Sequence, residues 1–185
     1  MTLVAITQEE FDVELALAYA TADNITGEVI YTHARCFLHR DAAERLAHTV
    51  ALARPLGYRL KIFDGFRPTE AQWKLWAKFP DPEFVADPRI GSPHSRGAAV
   101  DLTLVHRDGG RELDMGTGFD DFTTQSHHGM QDISAEAQLN RLALLGLMTA
   151  AGWGWYASEW WHYHLFDRED YPLLDDSAAP ASMMF

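Results

Sequence analysis

Cysteine is almost missing from this chain: Cys36 stands alone among 185 residues. No intramolecular disulfide can form, so the fold has to rest on packing. A lone thiol of this kind is usually a small buried hydrophobe. Its neighbours Ala34-Arg35-Cys36-Phe37-Leu38 read as a strand and offer no base or electropositive setting for a nucleophile. Positive charge is also scarce. Fifteen Lys and Arg face 27 Asp and Glu, a net charge of -12. Such a surface repels phosphate backbones and anionic lipid, which argues against nucleic acid and membranes as partners. Long apolar runs are absent, and none approaches the length that spans a bilayer. The first Lys or Arg is Arg35, so there is no positively charged leader and no twin-arginine signal. The expected compartment is the cytoplasm. Internal repeats and low-complexity linkers are lacking too. A single domain over residues 1–185 is expected, with a weakly ordered tail from about residue 175.

What is present is ordinary globular material, 47% hydrophobic, with six Trp, six Tyr and ten Phe. Residues 9–20 are apolar and acidic and run into a turn at Asp23-Asn24-Ile25-Thr26-Gly27. Residues 29–38 read as extended. Asp41 with Glu44 suggests a capping box for a helix to about Ala53, ended by Pro55 and Gly57. Residues 58–63 look like a strand. Pro68 fits a first helical position, with the helix reaching about Phe79. Residues 80–93 hold four of the eight prolines and must be loop. From 98 to 105 the pattern alternates: Ala98, Val100, Leu102 and Leu104 on one face, Ala99, Asp101 and Thr103 on the other. Residues 106–133 are polar and irregular. Ser134 caps a helix carrying Leu139, Leu142, Leu145 and Met148, closed by Gly152. Trp160 to Phe166 reads as a last strand. This order of elements predicts an α+β fold.

Nine histidines need spacing to sort them. His94 lies in a turn between Pro93 and Gly97. Asp101 follows in mid-strand among Ala, Val and Leu. Buried there it needs a partner, which a metal would supply; on an edge strand it would face water. The second cluster is Ser158-Glu159-Trp160-Trp161-His162-Tyr163-His164. On a strand His162 and His164 share a face and Glu159 points away. For Glu159 to reach a metal on His162 it must precede the regular strand, in a turn or bulge that Ala157-Ser158 could form. His164 is a rival ligand, but a packing role or contact with the liganding histidine is the preferred reading. Two His and one Asp suit a catalytic zinc, which keeps its fourth position for water. Such a metal acidifies that water and polarises a carbonyl. Glu159 would take the proton and pass it to the leaving amine. Arg67, between a strand end and a helix start, would stabilise the developing oxyanion. His127 and His128, in a polar loop, read as solvated.

These residues resemble the D-alanyl-D-alanine dipeptidases, within the zinc D,D-peptidases that share a fold with the hedgehog signalling domain. The pattern Ser-x-His-x-x-Gly-x-Ala-x-Asp appears as Ser92, His94, Gly97, Ala99 and Asp101. Glu-x-x-His follows as Glu159-Trp160-Trp161-His162. The stretches Tyr19 to Gly27, Asp64-Gly65-Phe66-Arg67-Pro68, Asp114 to Asp120 and Ser126-His127-His128 are similar to the dipeptidase branch. The resemblance covers about residues 12–173. Thr124-Gln125 departs from a more charged pair, and histidine is not the usual residue at 164. The resemblance implies a central, mainly antiparallel sheet flanked by helices. It implies one zinc per chain at His94, Asp101 and His162, Glu159 as acid and base, and Arg67 on the transition state. Ser92, Asp120 and Tyr19 would hold the dipeptide. The implied reaction is hydrolysis of D-alanyl-D-alanine, a small-molecule substrate. The alternatives are a D,D- or L,D-carboxypeptidase of peptidoglycan stems and a non-enzymatic zinc module. The presence of Glu159 and Arg67 argues against the last, because a structural zinc closes its fourth position with a protein ligand. Oligomeric state is left open.

Overall fold

A computed structural model describes residues 3–82 and 84–185 of the chain. Its elements, in order, are β1 (Leu3–Ala5), α1 (Gln8–Phe11), β2 (Glu14–Leu15), β3 (Phe37–His39), α2 (Arg40–Ala53), β4 (Tyr58–Asp64), α3 (Thr69–Lys78), β5 (Ala99–His106), α4 (Ala135–Ala150), β6 (Gly154–Trp155) and β7 (His162–His164). β1 and β3 form a small antiparallel pair. The main sheet has the order β2-β4-β5-β7-β6. Only the β2–β4 pairing is parallel, so the sheet is mainly antiparallel, as the resemblance implies, and the fold is α+β, as the order of elements predicts.

The alternation along 98–105 is real, but both faces are buried. Val100, Leu102 and Leu104 join Leu60 and Ile62 of β4 in a core closed by Leu46 and Val50 of α2 and Leu144 and Met148 of α4. On the opposite face Asp101 is 2% exposed and Thr103 is fully covered. β5 is a central strand between β4 and β7, which rules out the edge-strand reading of Asp101. A second cluster gathers Tyr19, Tyr31, Phe37, Phe66, Leu75 and Val85.

Several boundaries differ from the sequence reading. Extended backbone in 29–38 is a strand only from Phe37, because β1 is three residues long and pairs no further. His39 replaces Asp41 as the cap of α2: its Nδ1 accepts from the Asp41 amide at 3.3 Å. Pro68 is the cap of α3 rather than its first residue. The last strand shrinks to three residues, with Trp160 and Trp161 in the turn before it. The face of α4 was misjudged. Leu139 and Leu142 are 67% and 64% exposed, and the inner face is Ala137, Arg141, Leu144, Leu147 and Met148. Arg141 takes an inner position because its guanidinium serves carbonyls of the irregular 106–133 segment. It donates to Met115 O at 2.6 Å, Gln125 O at 2.8 Å and His127 O at 3.1 Å. The tail from about 175, read as weakly ordered, packs. Met183 and Met184 are buried in the second cluster, and the Met183 amide donates to Asp176 Oδ1 at 2.8 Å.

Candidate metal centre and its cleft

Strand register assembles the first three groups. Asp64, Asp101 and His162 stand opposite one another on β4, β5 and β7. All three are buried. A fourth comes from the loop before β5. There a short 3₁₀ turn, His94–Arg96, ends at Gly97 with φ 65°. A Cβ on Gly97 would lie 2.7 Å from Leu3 Cδ2 and 2.9 Å from the His39 amide nitrogen, so only glycine lets the turn sit this close.

His94 Nδ1 lies 2.8 Å from Gly65 O. That contact puts the ring hydrogen on Nδ1 and turns the Nε2 lone pair inward. His94 Nε2 is 3.1 Å from His162 Nδ1 and 3.3 Å from Asp101 Oδ2, and His162 Nδ1 is 3.0 Å from Asp101 Oδ1. Ligands about 2.0–2.2 Å from a tetrahedral zinc lie roughly 3.3–3.6 Å apart, so these spacings fit with a few tenths of an ångström of opening. Three electron-rich atoms turned toward one point also repel unless a cation sits among them. His94, Asp101 and His162 are the set whose donor atoms lie within 4.8 Å of one another among the described residues. Burial raises the Asp101 carboxyl, but the two imidazoles outweigh it and keep the group ionised. Burial drives the His162 imidazole down to about 4, so the ring is neutral and able to offer a lone pair.

Glu159 lies ahead of β7, directly after the Ala157-Ser158 turn. Its Oε2 is 4.0 Å from His162 Nδ1. Burial, then the charges of Asp101 and Asp120, raise its carboxyl well above the usual range. Arg67 is buried, not a surface ion pair. Nε and one terminal nitrogen contact Asp64 Oδ2 at 2.8 Å, and Nη1 donates to Gln72 Oε1 at 3.1 Å. Its guanidinium carbon sits 5.0 Å from the centre of the Tyr19 ring.

Tyr19 Oη donates to Asp120 Oδ2 at 2.8 Å. Asp120 adopts φ 58°, a left-handed conformation that costs a non-glycine residue energy and points to a held geometry. Its carboxyl is pushed up to about 7, chiefly by burial. Ser92 Oγ accepts from the His94 amide at 3.2 Å. All eight residues picked from sequence, Tyr19, Arg67, Ser92, His94, Asp101, Asp120, Glu159 and His162, line one small cleft.

The sequence reading missed several neighbours. Asp64 anchors Arg67 and accepts from Tyr31 Oη at 2.8 Å. Tyr156 stacks on His162 with ring centres 4.4 Å apart and planes 4° from parallel. Phe84 and Phe122 stack at 4.8 Å on the cleft wall. Only Asp64 carried a signal, a carboxylate ending an apolar strand; the others come from loops without periodicity. His127 and His128 are not simply solvated. Each has a buried Nε2 without a hydrogen-bond partner, and His128 packs on Trp155 at 4.9 Å.

A family model for D-Ala-D-Ala dipeptidase matches residues 1–179. The chain belongs to the D-alanyl-D-alanine dipeptidase family. The family is one of zinc metallopeptidases, which agrees with the donor cluster. A D-alanyl-D-alanine dipeptidase of Escherichia coli K12 is 48% identical over 165 residues, covering 89% of this chain and 85% of that protein. The D-alanyl-D-alanine dipeptidase of Enterococcus faecium is 37% identical over 174 residues, covering 83% and 86%. Among solved structures, the zinc complex of the vancomycin-resistance D,D-pentapeptidase VanY aligns with a TM-score of 0.45 and 19% identity, over 87% of this chain and 83% of that one. Among the described residues of this dipeptidase-family chain, no helix is long and apolar enough to cross a membrane.

Proposed function

We propose that this chain hydrolyses D-alanyl-D-alanine to two D-alanines, with zinc held by His94, Asp101 and His162. One observation carries the reading. Eight side chains drawn from distant stretches of the chain, each assigned a role in that reaction, converge on a single cleft. Zinc bound there supplies a Lewis acid that polarises the scissile carbonyl and acidifies a water. Glu159 takes the proton of the attacking water and delivers it to the departing nitrogen as the C–N bond breaks. Burial, with the charges of Asp101 and Asp120, raises its carboxyl above the usual range, which favours its holding the proton between the two transfers. Arg67, held by Asp64 and Gln72, donates to the oxyanion that grows on the carbonyl oxygen.

The free ammonium of the dipeptide is the feature that separates it from a peptidoglycan stem, where that nitrogen is an uncharged amide. Asp120 is the anion assigned to it. The Tyr19 hydroxyl occupies Oδ2 and steadies the carboxylate, leaving Oδ1 for the substrate. Ser92 lies on the same cleft as a hydrogen-bonding neighbour. A cytoplasmic location is part of this proposal; a buried free Cys36 in a chain without disulfides supports it.

The test compares D-Ala-D-Ala, N-acetyl-D-Ala-D-Ala and a tripeptide ending in D-Ala-D-Ala, following released D-alanine. The free dipeptide should be cleaved and the other two strongly rejected, because they leave the half-buried Asp120 carboxylate without its ammonium. Comparable rates on all three would assign a carboxypeptidase instead. No release from any would leave a zinc module without this activity.

A further inference from the structure

His164 is used by nothing described so far, yet it sits against the metal centre. It shares the face of β7 with His162 and is 5% exposed. Its Nδ1 lies 3.2 Å from His162 Nε2. The strands on either side make room for its ring. Ala99 stands opposite it on β5 and Gly154 opposite it on β6. A Cβ on Gly154 would come within 3.0 Å of His164 Nε2 and 3.2 Å of Cδ2. Tyr156 covers both imidazoles, its ring centre 4.6 Å from that of His164 and 4.4 Å from that of His162.

The direction of the His162–His164 contact follows from the cluster. His162 Nδ1 is the nitrogen that faces Asp101 and His94. To ligate it must be bare, so the ring hydrogen has to be on Nε2. Nε2–H points at His164 Nδ1, which must then accept, with the His164 hydrogen on its own Nε2. We propose that His164 is a positioning residue for the metal, fixing the tautomer and ring plane of His162 by accepting its Nε2–H. The inference rests on the reading of His162 as a zinc ligand. A liganding histidine usually gives its second N–H to a carboxylate, a carbonyl or water. Here a neighbouring imidazole fills that place, and the two-residue period of the strand brings it there.

The experiment measures zinc affinity by competition with a chromophoric chelator, independent of turnover. The proteins are wild type, His162→Ala, His164→Leu and His164→Asn. Leu fills similar space without an acceptor. Asn places Oδ1 near the position of Nδ1 and can accept. His164→Leu should bind zinc about 10- to 100-fold more weakly, the usual loss for such a partner. His164→Asn should recover most of that loss. Wild-type affinity in His164→Leu, or an equal loss in both position-164 variants, overturns the inference. Wild-type affinity in His162→Ala overturns the ligand reading instead, so the two failures are distinct. Nitrogen-15 NMR of the zinc-loaded wild type gives a readout that needs no variant to fold. A His162 proton on Nε2 supports the arrangement, and a proton on Nδ1 overturns it.

Discussion

Asp101 of β5 and His162 of β7 face each other across one rung of the sheet, with Asp101 Oδ1 3.0 Å from His162 Nδ1. A slip of one residue in that register would leave the two side chains on opposite faces of the sheet. The candidate metal centre is thus specified by the same hydrogen-bond ladder that specifies the core.

That geometry predicts the metal stoichiometry. The wild type should hold one zinc per chain, and His94→Ala, Asp101→Ala and His162→Ala should each lose it on dialysis. Because zinc binds the folded form, free metal a thousandfold above its dissociation constant adds about 4 kcal/mol of stability. Metal analysis of the purified proteins, with thermal unfolding before and after chelation, checks both. A variant that keeps its zinc removes that residue from the set.

Glu159→Gln preserves shape but cannot take a proton. The protein should bind zinc normally and lose about 10²-fold or more in kcat. Steady-state kinetics on D-Ala-D-Ala beside a zinc titration decides; near-normal kcat would mean that another group is the base.

Arg67→Lys should also be severe, about 10²-fold in kcat with a smaller change in KM, because an oxyanion exists only on the way to products. Lys supplies one point charge where the guanidinium spans Asp64 and Gln72 and still faces the cleft. A loss confined to KM would place Arg67 on substrate binding.

Asp120 makes a prediction about pH. Its carboxyl is raised from 3.8 to about 7, chiefly by burial. The folded state therefore holds this proton more tightly than the unfolded chain. Below about pH 4 both states are protonated and Asp120 contributes nothing. From about pH 4 to 7 the folded state binds the extra proton, so stability falls as pH rises, and the cost is complete above 7. Asp120→Asn removes it while keeping an acceptor for the Tyr19 hydroxyl. The zinc-free variant should be more stable than zinc-free wild type at pH 8, by about 1–3 kcal/mol given that the residue is part-exposed. The two should converge near pH 4. Denaturant titrations at the two pH values check it; a constant difference would contradict the shift.

The candidate metal set, His94, Asp101 and His162, was legible because its signals are local. A carboxylate in an apolar strand is costly enough to demand a partner, and Asp101 has three. Glu159 could be placed ahead of the strand once the strand period was set against a metal shared with His162. The residues that hold the site in place were not legible, because their partners are far along the chain. Tyr31 reaches Asp64 across 33 residues, and Thr117 meets the Trp160 indole N–H across 43. The face of α4 was misread for a related reason. Leucine count favoured Leu139 and Leu142, while the inward position belongs to Arg141, whose acceptors are backbone carbonyls that no side-chain pattern announces.

Arg141 has a consequence for how the molecule comes apart. The 106–133 segment contains Asp120 but little regular structure, and a single guanidinium bonds three of its carbonyls. The candidate metal set, by contrast, sits on the sheet or on a turn closed against it. Partial opening under mild denaturant should release this segment first, as a unit of low local stability. Amide hydrogens near Asp120 would exchange early while those of β5 stay protected. Grip on the dipeptide would fade in a population that still carries its zinc.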